Sequence, residues 1–321
     1  MTILVTGAAG FIGAHVCRAL VRRGERVIGL DNFNDYYDPR IKRDRVAALC
    51  PDIHIETADV ADADALARLF GAHAFSRVVH LAAQAGVRYS FKNPAAYKHS
   101  NLDGFFAVLE ACRRYGAQHL VYASSSSVYG AAATPPFRED APLASPMSFY
   151  AATKIANEAM AESYARQYRL AATGLRFFTV YGPWGRPDMA PLLFSRAVLA
   201  GREIEVFNHG KLRRDFTFID DIVAGVLAAL DRVPQGEAPH RVYNLGNHRP
   251  EALEDFIAII EQAVGRKARR IDRPMQPGDM FETMADIERA RTELDFEPRT
   301  NLRDGLPRVV EWCRDYFGDA A

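Results

Sequence analysis

Gly7-Ala8-Ala9-Gly10-Phe11-Ile12-Gly13 lies between a short apolar run, Thr2–Val5, and a segment, Ile12–Arg22, whose apolar residues recur at helical spacing. Glycines there let the backbone turn sharply and approach a pyrophosphate, which then rests against the positive end of the following helix dipole. The next strand-like run, Arg26–Leu30, ends at Asp31, 21 residues past Gly10. A carboxylate at that place accepts hydrogen bonds from ribose hydroxyls and repels a 2′-phosphate, which favours NAD over NADP. The stretch therefore reads as a dinucleotide site. Gly7, Gly10, Phe11, Ile12 and Gly13 are its phosphate side; Asp31, with Asn32 and Asn34, is its ribose side.

Working outward, the two periods keep alternating. Ala63–Phe70 reads as a helix, Arg77–Leu81 as a strand, Leu102–Tyr115 as a helix and His119–Ala123 as a strand. Strands separated by helices of this length pair in parallel through right-handed crossovers, with helices on both sheet faces. Tyr150–Tyr168 continues as a long helix, and Ala172–Val180 returns to the sheet. Asp59 and Val60, after the third strand, are placed beside the adenine; Leu81, Ala82 and Ala83 pass under the cofactor, where small side chains permit close approach. After Gly182 three prolines fall within nine residues, and shorter elements follow. The expectation is an α/β protein: a Rossmann-type doubly wound parallel sheet over residues 1–180, with a return around 215–248, and a smaller α/β substrate-binding domain over 181–321.

Composition narrows the function. The chain has 321 residues, with Lys+Arg 40 against Asp+Glu 40 and a formal net charge of zero. A nucleic-acid partner needs a basic excess, so none is expected. The longest apolar run, Ile222–Leu230, is far shorter than the roughly 20 residues of a membrane span, so no membrane partner is expected. Glycines interrupt the N-terminal segment too early for a signal peptide. Cys17, Cys50, Cys112 and Cys313 are scattered, without C-x-x-C spacing, which points away from zinc and disulfides and toward a reducing, cytoplasmic setting. No metal site is expected: Asp220-Asp221 reads as a helix-start cap, and His80 and His99 as structural or exposed.

The reactive group is Tyr150. It stands four residues before Lys154, on one helix face. A free phenol titrates near 10, and a neighbouring ammonium is expected to lower that value toward a usable base. Ser124-Ser125-Ser126-Ser127-Val128-Tyr129-Gly130 directly follows an apolar strand, at the carboxyl edge where α/β sheets bind ligands.

Together the glycine fingerprint, the S-S-S-S-V-Y-G run and Tyr150-Ala151-Ala152-Thr153-Lys154 resemble the extended short-chain dehydrogenase/reductase family, specifically its NAD-dependent nucleotide-sugar epimerases. The resemblance spans essentially the whole chain and is strongest to members acting on UDP-glucuronate. It is carried by 31–38 (DNFNDYYD), 85–90 (AGVRYS), 177–189 (FFTVYGPWGRPDM), 214–221 (RDFTFIDD) and 276–279 (QPGD). It implies inversion at C4 through a 4-keto sugar, with Tyr150 as base, Ser125 assisting it and Lys154 orienting the nicotinamide ribose. Ser126, Ser127 and Thr179 are implied as neutral donors to the sugar carboxylate. Arg88 and Arg186 are the charged alternatives, within a substrate set that also includes Gly86, Val87 and Ser90. For the UDP end it implies Arg214 at the diphosphate, Val206 and Phe207 along the uracil, and Gln276 with Asp279 at phosphate and ribose. Gln276 replaces an arginine common among relatives.

Decarboxylases and dehydratases of the family carry acids where this chain has Ser126 and Ser127, and the UDP-glucose epimerases usually carry Asn at Thr179. A UDP-hexose epimerase, a UDP-glucuronate decarboxylase and a non-catalytic NAD-binding regulator are the remaining alternatives. The resemblance also implies a homodimer paired through Leu102–Tyr115 and Tyr150–Tyr168.

Overall fold

The alternation of apolar residues in Thr2–Thr6 sends Ile3 and Val5 into one buried cluster and Leu4 into another, on opposite faces of a sheet. That two-sided burial is the mark of a parallel sheet covered by helices. In this computed structural model, which describes residues 1–131, 133–276 and 278–318, the first half runs β1 (Thr2–Thr6), α1 (Phe11–Arg22), β2 (Arg26–Asp31), α2 (Pro39–Leu49), β3 (His54–Thr57), α3 (Ala63–Ala72) and β4 (Phe75–His80). Two short helices, α4 (Tyr89–Lys92) and α5 (Pro94–Tyr97), lead through a wide π-helical turn into α6 (Gly104–Tyr115), β5 (His119–Ser125), α7 (Phe149–Tyr168) and β6 (Ala172–Phe177).

Seven strands form one sheet in the order β10-β6-β5-β4-β1-β2-β3, where β10 is His240–Leu245. All six pairings are parallel. This is the doubly wound Rossmann arrangement, with its change of winding direction at β1 and β4, and ligand-binding crevices open at the carboxyl ends of such strands. Register aligns those ends: Ser125 pairs with Phe177, and Phe177 with Leu245.

The expected single run Ala172–Val180 is divided. β6 stops at Phe177, and Thr179–Tyr181 (β7) joins a different, three-stranded sheet with β9 (Arg213–Phe218) and β11 (Pro250–Ala252). The hinge is Phe178, whose N–H donates to the Leu245 carbonyl before the chain leaves the main sheet. β8 (Glu203–Phe207) pairs with β12 (Arg269–Arg273). Helices α8 (Ala190–Leu199), α9 (Ile219–Asp231), α10 (Leu253–Val264), α11 (Glu288–Leu294) and α12 (Leu302–Phe317) complete the second half. Of the 276–279 stretch, Pro277 lies outside the described residues, as do 319–321.

Candidate active site

One continuous cleft of about 490 Å³ runs along the carboxyl edge of the main sheet, from Asp31 past the glycine loop to Tyr150 and on to Arg214. At its first end the loop is shaped by contact. Gly7 has φ +69°, and a Cβ on Gly13 would fall 2.0 Å from the Gly7 carbonyl oxygen, so neither position accepts a side chain. α1 starts behind this loop with Gly10 at its cap and no side chain capping it, which leaves first-turn N–H groups turned toward an anion site. Asp31 is buried at the end of β2; it accepts from Ala9 N at 3.1 Å and Phe33 N at 2.8 Å, with Lys42 Nζ 3.8 Å away. An anion-receptive helix start and a ribose-side carboxylate at opposite walls of one cleft fit a dinucleotide. Gly10, Phe11, Ile12, Asn32, Asn34, Val60, Leu81, Ala82 and Ala83 line the same space. Asp59 does not line it: its carboxylate accepts from Ala61 N at 2.8 Å and Asn32 Nδ2 at 3.0 Å, with His99 Nε2 at 3.2 Å.

In the centre, the four serines divide. Ser124 also borders the cleft, but its hydroxyl donates to Glu158 at 2.5 Å, inside a buried pair of Glu158 with Arg176. Ser125, Ser126 and Ser127 line the cleft, with Ser125 Oγ 3.2 Å from Ser127 Oγ. α7 begins at a Ser148 cap, whose hydroxyl accepts from Ala151 N, and delivers Tyr150 in its first turn.

Lys154 follows one turn after Tyr150 on α7. Its buried Nζ donates to the Ala123 carbonyl of β5 at 2.8 Å, and burial pulls its pKa down to about 8. The Tyr150 phenol is raised by burial, and the groups opposing that rise are the Ser125 hydroxyl and the Arg186 charge. Lys154 lines the same cleft as Tyr150, and its bond to Ala123 fixes the start of α7 against β5.

Toward the other end, Gly86, Val87, Thr179, Arg186, Arg214 and Asp279 line the cleft. Arg214 is anchored by donating to the Arg213 and Phe281 carbonyls at 3.0 and 3.2 Å, and lies 3.7 Å from Asp279. Arg88 stands 3.7 Å from the same carboxylate and 5.1 Å over the Phe207 ring. Ser90 is buried, its hydroxyl donating to the Val87 carbonyl at 2.6 Å, so it shapes the turn and does not face the cleft. Val206 is likewise wholly buried in β8. Gln276 stays outside the lining, with its Oε1 buried and unpartnered among the described residues.

Sequence reasoning did not assign Tyr36, Lys42, Arg45 or Asp188 to the site. Lys42 lines the cleft and donates to Asn34 Oδ1 at 3.0 Å. Arg45, fully buried behind the loop, donates to the carbonyls of Ala9 at 2.6 Å and Trp184 at 2.9 Å. The one available signal was their place inside or just after the distinctive 31–38 stretch and beside Arg186. Asp221 accepts from the backbone N–H groups of Arg299 and Thr300 at 3.1 and 3.0 Å, and Asp220 pairs with Arg308, so this doublet fastens α9 to the C-terminal segment more than it caps its own helix.

The profile of the NAD dependent epimerase/dehydratase family matches residues 3–246. UDP-glucuronate 4-epimerase 4 of Arabidopsis thaliana is 49% identical over 99% of this chain and 76% of its own length. Among solved structures, the Bacillus cereus UDP-glucuronic acid 4-epimerase in complex with UDP-glucuronic acid and NAD superposes with a TM-score of 0.92 at 33% identity, covering 98% of this chain and 99% of that one. The Thermotoga maritima UDP-glucose 4-epimerase with UDP-glucose gives 0.90 at 30% identity, covering 99% and 100%. With its Rossmann sheet and a glycine loop, Ser125 and Tyr150 lining one cleft, this chain belongs to the NAD dependent epimerase/dehydratase family.

Proposed function

We propose that this protein is an NAD-dependent enzyme that inverts C4 of UDP-glucuronate to give UDP-galacturonate. The observation that carries the reading is the Tyr150 phenol beside Ser125 in a cleft that is also lined by the uncharged hydroxyls of Ser126, Ser127 and Thr179. Bound NAD supplies reversible hydride acceptance at the sugar carbon. Gly7–Gly13 and the start of α1 hold its pyrophosphate, and Asp31 with Lys42 faces its ribose. Tyr150 removes the C4 hydroxyl proton, Ser125 steadies the phenolate, and the same phenol returns the proton after the ring has turned. The 4-keto sugar is a β-keto acid and can lose CO₂; Ser126, Ser127 and Thr179 hold the carboxylate as neutral donors, and Arg186 stands beside them.

Arg214, Asp279 and the Phe207–Arg88 stack form the UDP end of the proposed site. Residues 1–180 with the 240–245 strand serve as the cofactor half, and most of 181–318 as the substrate half. We place a homodimer contact on α6 and α7, which leave Phe106, Tyr115, Phe149 and Tyr168 exposed. No helix among the described residues is long and apolar enough to cross a membrane. Four buried free thiols are compatible with the cytoplasm as its location.

Incubation with UDP-glucuronate, read by mass spectrometry and NMR, is expected to yield UDP-galacturonate without accumulation of NADH. Deuterium placed at C4 should remain in the product. Dominant release of CO₂ with a UDP-pentose, or exchange of the label into solvent, would contradict the assignment.

A further inference from the structure

Arg186 meets an internal anion before any substrate arrives. Its Nε donates to Asp188 Oδ1 at 3.0 Å and its Nη2 to Oδ2 at 2.5 Å, a two-pronged charge-assisted pair. The Tyr36 hydroxyl donates to that same Oδ2 at 2.9 Å, from the loop between β2 and α2. The Tyr36 ring also lies 5.9 Å from the guanidinium carbon. Burial opposes both charges, yet their mutual attraction keeps Arg186 firmly protonated and Asp188 below the usual carboxylate range. Arg186 lines the cleft and sits near enough to Tyr150 for its charge to act on the phenol.

A guanidinium with a carboxylate across one edge is a compensated cation. A sugar carboxylate reaching Arg186 is a second anion on the same group, attracted by the arginine and repelled by Asp188. The proposed reaction requires such a tempered contact. The oxidised ring must let go of one face of the pocket and present the other, and a full-strength Arg–carboxylate clamp on the ground state would slow that turn. We propose that Asp188, fixed by the Tyr36 hydroxyl, is a positioning residue that tempers Arg186, keeping its hold on a uronate carboxylate weak enough to release between the two half-reactions. This inference deepens the epimerase reading and rests on it.

Asp188→Asn keeps the shape and removes the charge. With UDP-glucuronate, its KM is expected to fall about fivefold and kcat about tenfold, because tighter ground-state binding opposes turnover. Tyr36→Phe, which keeps the ion pair but frees the carboxylate, should move both constants the same way by a smaller factor. In NAD-loaded Tyr150→Phe protein, calorimetry should show Asp188→Asn strengthening UDP-glucuronate about fivefold, and UDP-glucose, which has no carboxylate, by less than about twofold. Equal effects on the two sugars, or weaker binding of UDP-glucuronate, would overturn the proposal as a merely structural role for Asp188. If that binding preference shifts in a protein whose wild type never forms UDP-galacturonate, the charge tempering stands and the epimerase reading is what fails.

Discussion

The Tyr150 phenol lies in a setting that raises its pKa, and the Ser125 hydroxyl and the Arg186 charge oppose that rise. In the proposed reaction the phenolate is the working form, and removing the Ser125 hydroxyl leaves burial less opposed and raises the pKa further. Ser125→Ala should therefore shift the acid limb of the kcat/KM–pH profile to higher pH, with a loss of about 10- to 100-fold at neutral pH. An unmoved limb would separate Ser125 from the proton transfer. Tyr150→Phe is expected to lower turnover by about 10²–10⁴-fold, while the purified protein keeps its NAD, measured as cofactor released per chain on denaturation. Both residues were legible in the sequence because Y-x-x-x-K on a helix and serines at a strand end are short-range patterns. The Lys154 contact was not, because the Ala123 carbonyl that receives its proton lies on β5, 31 residues away in the chain.

At the scale of elements, α2 shows why some helices escape a reading by periodicity. Its inward face carries Lys42 and Arg45 beside Ile41, all buried, so the helix looks polar although it packs inward. Arg45 makes no salt bridge among the described residues; it donates to Ala9 and Trp184 carbonyls, to Gly185 at 3.4 Å and to the Tyr37 hydroxyl at 3.1 Å. It thus ties the glycine loop to the loop that leads into Arg186. Arg45→Met should strip these carbonyls of their donor and cost about 2–4 kcal/mol in urea unfolding, with weakened NAD retention. A change within experimental error would show that solvent replaces the guanidinium without penalty. β7 was hidden for a related reason: nothing in the sequence at Phe177-Phe178-Thr179 marks a break, and only the Phe178 bond to Leu245 reveals where one sheet ends and another begins.

For the molecule as a whole, three buried histidines link folding to pH. Burial is the first cause in each: His15 is lowered to about 4, His80 to about 3 and His119 to about 4. His15 is bonded to the Pro183 carbonyl, His80 to Thr6 and His119 to Leu230 and Thr173, so all three are part of the packing. Their folded pKa values lie below the unfolded value near 6.5, so on acidification the unfolded chain takes up protons that the native chain refuses. The stability they contribute is present above about pH 6.5 and is lost as pH falls toward 4. The thermal midpoint should accordingly drop between pH 7 and 5, and a His119→Asn variant should show a shallower drop. A midpoint flat across that range would mean that the rings gain protons without unfolding.

The sequence alone determined which kind of sheet forms, and it located the glycine loop and the Tyr150 phenol that meet in its cleft. Those features are written in local spacing: period two in strands, 3.6 in helices, and glycines where no Cβ fits. Tertiary structure alone decided which partner each charge takes. Lys154 goes to a backbone carbonyl, the Ser124 hydroxyl goes to Glu158, Ser90 turns inward, and Asp188 claims Arg186 with help from Tyr36. The reason is physical: such pairs join segments separated by anything from two residues to more than a hundred, and close packing of the folded chain selects among donors and acceptors that look equivalent in the sequence.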